Sequence, residues 1–206
     1  MALAMMERFR AFWAGVFTPV ARLLLRLGVS PDAVTIVGTL GVCVAALVFF
    51  PAGHFLVGVL VIVVFVFSDL VDGLMARLSG QSSSWGAFLD STLDRFGDAA
   101  IFAGLLLYYA GPGDSRPLTA LATYCLVMGS VTSYARARAE ALGMQAKVGI
   151  AERADRLVAI LAMTGLSDIF DLPVLIPLTL GALAVASTVT VLQRIMLVRS
   201  QARATV

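Results

Sequence analysis

The run FLVGVLVIVVFVFSDLVD, Phe55 to Asp72, decides how this chain must fold. Nothing polar interrupts it before Ser68, and then two carboxylates follow within four residues. Its apolar part, Phe55–Leu70, reads as a membrane-spanning helix, for which about 20 largely apolar residues are needed. Working outward, Val34–Phe50, Leu118–Tyr134 and Pro173–Leu192 qualify on the same ground. Leu157–Leu166 is short and reaches spanning length only if Arg153 and Arg156 lie at its mouth. Trp85–Ala110 is apolar apart from Asp90, Asp94, Arg95 and Asp98. Turn-forming residues separate these segments at Pro51 to Gly53, Gly80 to Ser84, Gly111 to Gly113 and Asp168 to Pro173.

Composition agrees. Of the 206 residues 60% are hydrophobic and 14% charged, against roughly 45–50% and about 25% in soluble domains. So few charges cannot cover so much apolar surface in water. That excludes soluble globular and disordered chains. Cys43 and Cys125 lie in apolar runs, which argues against a disulfide scaffold. The opening MALAMMERFRAFWAGVF lacks the pattern of a removable signal peptide. The expectation is an all-α polytopic membrane protein with a single domain over 1–206 and six spans within 33–198. An amphipathic surface helix over 3–27 precedes the spans. In it Arg8, Arg22 and Arg26 interrupt Phe9, Phe12, Trp13, Phe17, Leu23 and Leu27, the pattern of a helix lying in the headgroup plane.

With six spans, thirteen of the fifteen basic residues fall on one side of the membrane. Arg116 falls opposite, and Arg95 lies inside the third span. The positive-inside rule then puts both termini in the cytoplasm of a multi-pass cell-membrane protein. Fourteen of the fifteen are Arg, with Lys147 the one exception. Arg offers a planar fork that grips phosphate at two points, where Lys is a point charge.

The acids are the anomaly. Asp69 and Asp72 end the second span, and Asp90, Asp94 and Asp98 lie in the third. A carboxylate deep in such a helix costs roughly 2.5–3.5 kcal/mol even on lenient scales. Asp69 and Asp72 are three apart and Asp90 and Asp94 four apart, so each pair shares a helix face. A short connection makes the two helices antiparallel neighbours and gathers four carboxylates on the cytoplasmic side. Such a group calls for cations, and all-oxygen ligation suits Mg²⁺, Mn²⁺ or Ca²⁺ rather than zinc. Asp98, three residues after Arg95, reads as the structural partner of that arginine. Ser30-Pro31-Asp32 reads equally as a helix start or as part of a binding segment.

The run from Asp69 through Asp72, Gly73, Ala76 and Arg77 to Gly86, Asp90 and Asp94 resembles the signature of the CDP-alcohol phosphotransferases, D-x2-D-G-x2-A-R-x8-G-x3-D-x3-D. The resemblance implies a six-span homodimeric membrane enzyme with two divalent cations, Mg²⁺ or alternatively Mn²⁺, in each site. Its reaction displaces CMP from a CDP-linked lipid by an alcohol. By the resemblance Asp69, Asp72, Asp90 and Asp94 bind the metals, and Asp94 is also the general base. Pro31, Asp32, Ala33, Val34, Thr35, Gly73, Ala76, Arg77, Ser83 and Gly86 would hold CDP-diacylglycerol.

A second, basic cluster holds Arg136, Arg138, Arg153, Arg156 and Arg194, all on the metal side of the membrane in the six-span arrangement. Several guanidinium forks would select a phosphorylated acceptor. The segments around them, with the Ser30–Thr35 entry, resemble the actinobacterial branch of the family whose acceptor is 1D-myo-inositol 3-phosphate. By that resemblance the five arginines bind the acceptor phosphate. Glycerol 3-phosphate is the alternative acceptor. A divalent-cation transporter would account for the carboxylates, but not for Gly73, Ala76, Arg77 and Gly86 at fixed spacing. No nucleic-acid partner is expected. His54, beside the first interspan turn, is expected to play no part in catalysis.

Overall fold

Helices make up the regular structure among residues 15–80 and 83–204, the part of the chain that this computed structural model describes, with no strand among them. Residues 3–14 of the expected surface helix lie outside the described residues; 15–26 are helical and are labelled α1. Then follow α2 (Pro31–Phe49), α3 (Phe55–Val66), α4 (Ser68–Ser79), α5 (Ser84–Ala110), α6 (Arg116–Ala141), α7 (Arg153–Ile169) and α8 (Leu175–Ala204).

Four stretches among the described residues are long and apolar enough to cross a membrane: Pro31–Phe49, Phe55–Ser79, Arg116–Ala141 and Leu175–Ala204. The other two expected spans fall short for separate reasons. α7 has 17 residues. α5 has 27 residues, and it carries Asp90, Asp94, Arg95 and Asp98. The outward faces are apolar, the reverse of a soluble protein. On α2 the exposed residues include Val37, Leu40 and Val44, and on α8 Leu178, Val185, Leu192 and Met196. Apolar stripes of this kind are suited to lipid.

The helices sort into two compact units. The first takes in the described residues up to Val44 and Val61–Gly97, the second Ala45–Leu60 and Asp98 onward. In the first, the apolar path of α3 and α4 is interrupted at Phe67, ahead of the two carboxylates. No proline marks the place. The Ser68 hydroxyl donates to the Phe65 carbonyl at 2.6 Å, and Phe67 keeps helical backbone angles. α2 packs against the interruption through glycines. A Cβ on Gly38 would run into the Ser68 side chain, and one on Gly41 into the Phe65 ring. α4 ends at Gly80, whose φ of +68° and N–H to the Ala76 carbonyl form a left-handed cap.

In the second unit α6 and α7 both pack on α8. Their contacts use small and hydroxylic side chains, which suit helix association where lipid offers no hydrophobic drive. Tyr124 and Thr188 share a hydrogen bond at 2.7 Å, and the Cys125 thiol donates to the Leu180 carbonyl at 3.3 Å. Thr132, Ser187 and Thr190 are fully buried. Asp168 accepts the Leu56 N–H at 2.8 Å, satisfying an N–H in the first turn of α3.

Close packing in this unit sets a stability test. A Cβ on Gly104 would overlap the Ala46 carbonyl, whereas nothing lies within 4 Å of one on Gly181. Gly104→Val should therefore cost about 1–3 kcal/mol of stability through overpacking. Gly181→Ala should leave thermal unfolding in detergent unchanged or slightly raised.

Candidate active site

The first unit contains a cleft of about 440 Å³ lined by Pro31, Asp32, Thr35, Asp69, Asp72, Gly73, Ala76, Arg77, Ser83, Gly86, Ala87 and Asp90. Helical periodicity explains this membership. On α4 the lining positions 69, 72, 73, 76 and 77 follow the three-and-four spacing of one helix face. Positions 83, 86, 87 and 90 do the same at the start of α5. The beginning of α2 supplies the remaining wall. The Ser30 hydroxyl accepts the Ala33 N–H at 3.2 Å, and proline occupies the first helical position. Ser30-Pro31-Asp32 is thus a helix start and a cleft wall at once.

Inside the cleft the polar groups are tied to one another. Asp72 is buried, and the Thr35 hydroxyl donates to its Oδ2 at 2.5 Å. The same hydroxyl lies 3.2 Å from the Pro31 carbonyl. The Trp85 indole N–H donates to Asp32 Oδ2 at 3.0 Å. Arg77 folds back along α4, its Nε donating to the Gly73 carbonyl at 2.9 Å. The Ser83 hydroxyl accepts the Gly86 N–H at 3.0 Å and so caps α5. Asp94, half-buried, has a guanidinium nitrogen of Arg95 at 3.5 Å.

The cleft gathers most of the expected site residues. Ala33, Val34 and Asp94 do not line it; Asp94 sits one turn beyond Asp90 on α5. Sequence reading missed the Thr35–Asp72 and Trp85–Asp32 bonds. Their partners are 37 and 53 residues apart, and no local spacing announces them.

A divalent cation fits this donor set. Among the described residues no three acidic, His or Cys side chains converge on one point as a closed cage. Magnesium seldom requires one, since it is commonly held by one or two carboxylates together with substrate phosphates. Asp69, Asp72 and Asp90 supply oxygen donors to one cleft. Asp72 also lies in the like-charge field of Asp90 and Asp94, which a cation would relieve.

The arginines belong to the second unit, apart from Arg77 and Arg95 and those near the N-terminus. Arg156 and Arg194 are 3% and 4% exposed. Arg156 donates to the Ala151 carbonyl at 3.0 Å. Arg194 donates to Val148 at 3.0 Å and to Thr132 at 2.5 Å. Both thereby hold the stretch between α6 and α7. Arg136 pairs with Glu140 at 2.9 Å and lies close enough to Arg194 to repel it. Arg138 is exposed. Arg153 is bound to Asp98, so the expected Arg95–Asp98 pair is replaced: Arg95 turns to Asp94, and Asp98 to a helix 55 residues on.

Residues 28–192 match the family model described as CDP-alcohol phosphatidyltransferase. The chain is similar to phosphatidylinositol phosphate synthases of Cutibacterium acnes, at 52% identity over 95% of this chain and 98% of the relative, and of Streptomyces avermitilis, at 51% over 96% and 84%. Its structure resembles crystal structures of the Mycobacterium tuberculosis phosphatidylinositol phosphate synthase. The one with CDP-DAG bound gives a TM-score of 0.85 at 43% identity, covering 89% of this chain and 93% of that one. The complex with manganese and citrate gives 0.83 at 43% identity, covering 88% of each.

The Thr35–Asp72 bond has a measurable consequence. Thr35→Val removes the donor that orients the carboxylate and should weaken Mn²⁺ binding about tenfold by titration calorimetry, the low end for an outer-shell partner. Thr35→Ser keeps the hydroxyl and should bind within about twofold of the parent.

Proposed function

The chain belongs to the CDP-alcohol phosphatidyltransferase family, and on that premise we propose that it transfers the phosphatidyl group of CDP-diacylglycerol to 1D-myo-inositol 3-phosphate, releasing CMP. The observation that carries this reading is the cleft. Asp69, Asp72 and Asp90 line one cavity with Gly73, Arg77, Ser83 and Gly86, in a chain about half identical to phosphatidylinositol phosphate synthases.

The chemistry follows from the residues. An acceptor hydroxyl attacks the β-phosphorus of CDP-diacylglycerol, the bond from that phosphorus to the bridging oxygen breaks, and CMP departs. Asp94 takes the proton of the attacking hydroxyl. Arg77 holds the pyrophosphate, and Gly73, lacking a side chain, lets it approach the backbone. Pro31, Asp32, Ala33, Val34, Thr35, Ala76, Ser83 and Gly86 seat the nucleotide. Two divalent cations, Mg²⁺ or Mn²⁺ in its place, would be held by Asp69, Asp72, Asp90 and Asp94 and would neutralise the pyrophosphate and the leaving phosphate. Arg136, Arg138, Arg153, Arg156 and Arg194 take the phosphate of the acceptor. A planar fork gives two parallel charge-assisted bonds to such a group.

We further read the whole chain as one six-span domain, with α5 and α7 completing the set of crossing helices and an amphipathic helix before them. The placement of basic residues supports both termini and the site on the cytoplasmic face of the cell membrane. The working form is a homodimer.

Release of CMP from CDP-diacylglycerol tests the reading. With Mg²⁺ and a panel of inositol phosphate, inositol, glycerol 3-phosphate and serine, inositol phosphate should give the highest kcat/KM. Preference for glycerol 3-phosphate would replace the acceptor and leave the donor half intact. Chelation by EDTA should stop turnover and added Mg²⁺ restore it. Asp94→Asn should lower kcat by roughly 10²–10⁴-fold, the range for a general base, in a protein that still elutes as the parent does. Normal turnover would remove Asp94 from that role.

A further inference from the structure

We propose that Asp98 is a positioning residue for acceptor recognition: it fixes the guanidinium of Arg153, and the pair rather than Arg153 alone sets the affinity for the acceptor phosphate. The inference rests on the reading of Arg153 as an acceptor contact. Asp98 lies outside the metal-binding motif and has no part in the reaction described above.

The geometry is that of a clamp. Arg153 Nε lies 3.0 Å from Asp98 Oδ1 and 3.1 Å from Oδ2, while Nη2 lies 2.9 Å from Oδ1. The carboxylate therefore takes the Nε–Nη2 edge of the fork. Because the guanidinium is planar and rigid, holding that edge fixes the direction of the Nη1 edge, which faces away from Asp98. The Asp98 side chain is 15% exposed and that of Arg153 34%, so the carboxylate is the better screened member of the pair.

The surroundings explain why an acid is needed at this place. Arg153 is the first residue of α7, where the helix dipole is positive and a cation is disfavoured. The nearby acid on its own helix, Asp155, is turned back to cap the Glu152 N–H at 3.0 Å. Asp98 supplies counter-charge from α5. It is not held there by Arg95, which lies against Asp94. The buried arginines differ in kind from Arg153. Arg156 and Arg194 donate to backbone carbonyls and brace the chain, whereas Arg153 is oriented by a carboxylate that a single substitution can neutralise.

The test is a double-mutant cycle on the full-length enzyme, with KM for inositol phosphate, KM for CDP-diacylglycerol and kcat measured separately. Asp98→Asn should raise KM for inositol phosphate about tenfold, the scale on which outer-shell partners act, with KM for CDP-diacylglycerol within about twofold. Arg153→Gln should raise the same constant, and the double variant should resemble Arg153→Gln, because Asp98 acts through that residue. Asp98→Glu keeps the charge and should give an intermediate KM, which also serves if the asparagine variant does not fold. If Arg153→Gln raises KM but neither Asp98 variant does, the positioning role is overturned and the acceptor reading stands. If Arg153→Gln leaves KM unchanged, the acceptor reading of Arg153 fails and the inference with it. Equal changes in both KM values for the Asp98 variants would mark a structural role and overturn the proposal.

Discussion

A carboxylate in so apolar a chain needs a donor, and that constraint organises this protein. Four of the acids take theirs from another helix. Asp72 takes the hydroxyl of Thr35, Asp98 the fork of Arg153, Asp32 the indole of Trp85 and Asp168 the N–H of Leu56. These bonds tie α2 to α4, α2 to α5, α5 to α7, and the end of α7 to α3. Charges that composition alone would count as liabilities are what join helices with otherwise featureless apolar faces. The cost of leaving any of them without a partner keeps the arrangement specific.

Much of this was legible in the sequence, and what was not has a physical reason. Helix identity and approximate bounds follow from apolar length and turn residues, which are local properties. The cleft membership of α4 and α5 follows as well, since spacing of three and four fixes a face. Partner choice is different. The i,i+3 relation of Arg95 and Asp98 made a pair plausible, yet Asp98 bonds to Arg153 and Arg95 lies against Asp94. Local spacing says that two side chains can meet and leaves open whether a third, brought by the fold, offers two bonds in place of one. The break between α3 and α4 at Phe67 was likewise invisible, because no proline or glycine marks it.

The arginine-rich composition also divides on inspection. Read from sequence, five arginines point to a phosphate. In the structure, Arg156 and Arg194 also spend part of their forks on the backbone, donating to Ala151, Val148 and Thr132. The stretch between α6 and α7 is irregular, and its buried carbonyls have no helix to satisfy them. A fork with five donors answers that need as well as it answers a phosphate. One residue type thus performs two tasks, which composition and motif cannot separate.

The continuity of α3 and α4 bears on how the protein meets bilayers of different thickness. A helix of one piece responds to hydrophobic mismatch by tilting along its whole length, so a change in lipid swings everything mounted on it. Phe67 keeps helical backbone angles, and Phe55–Ser79 forms one 25-residue apolar stretch against which Gly38 and Gly41 of α2 are seated. Asp69 and Asp72 ride on that stretch. The position of the acids is thereby coupled to the thickness of the membrane whose lipids the protein helps to make.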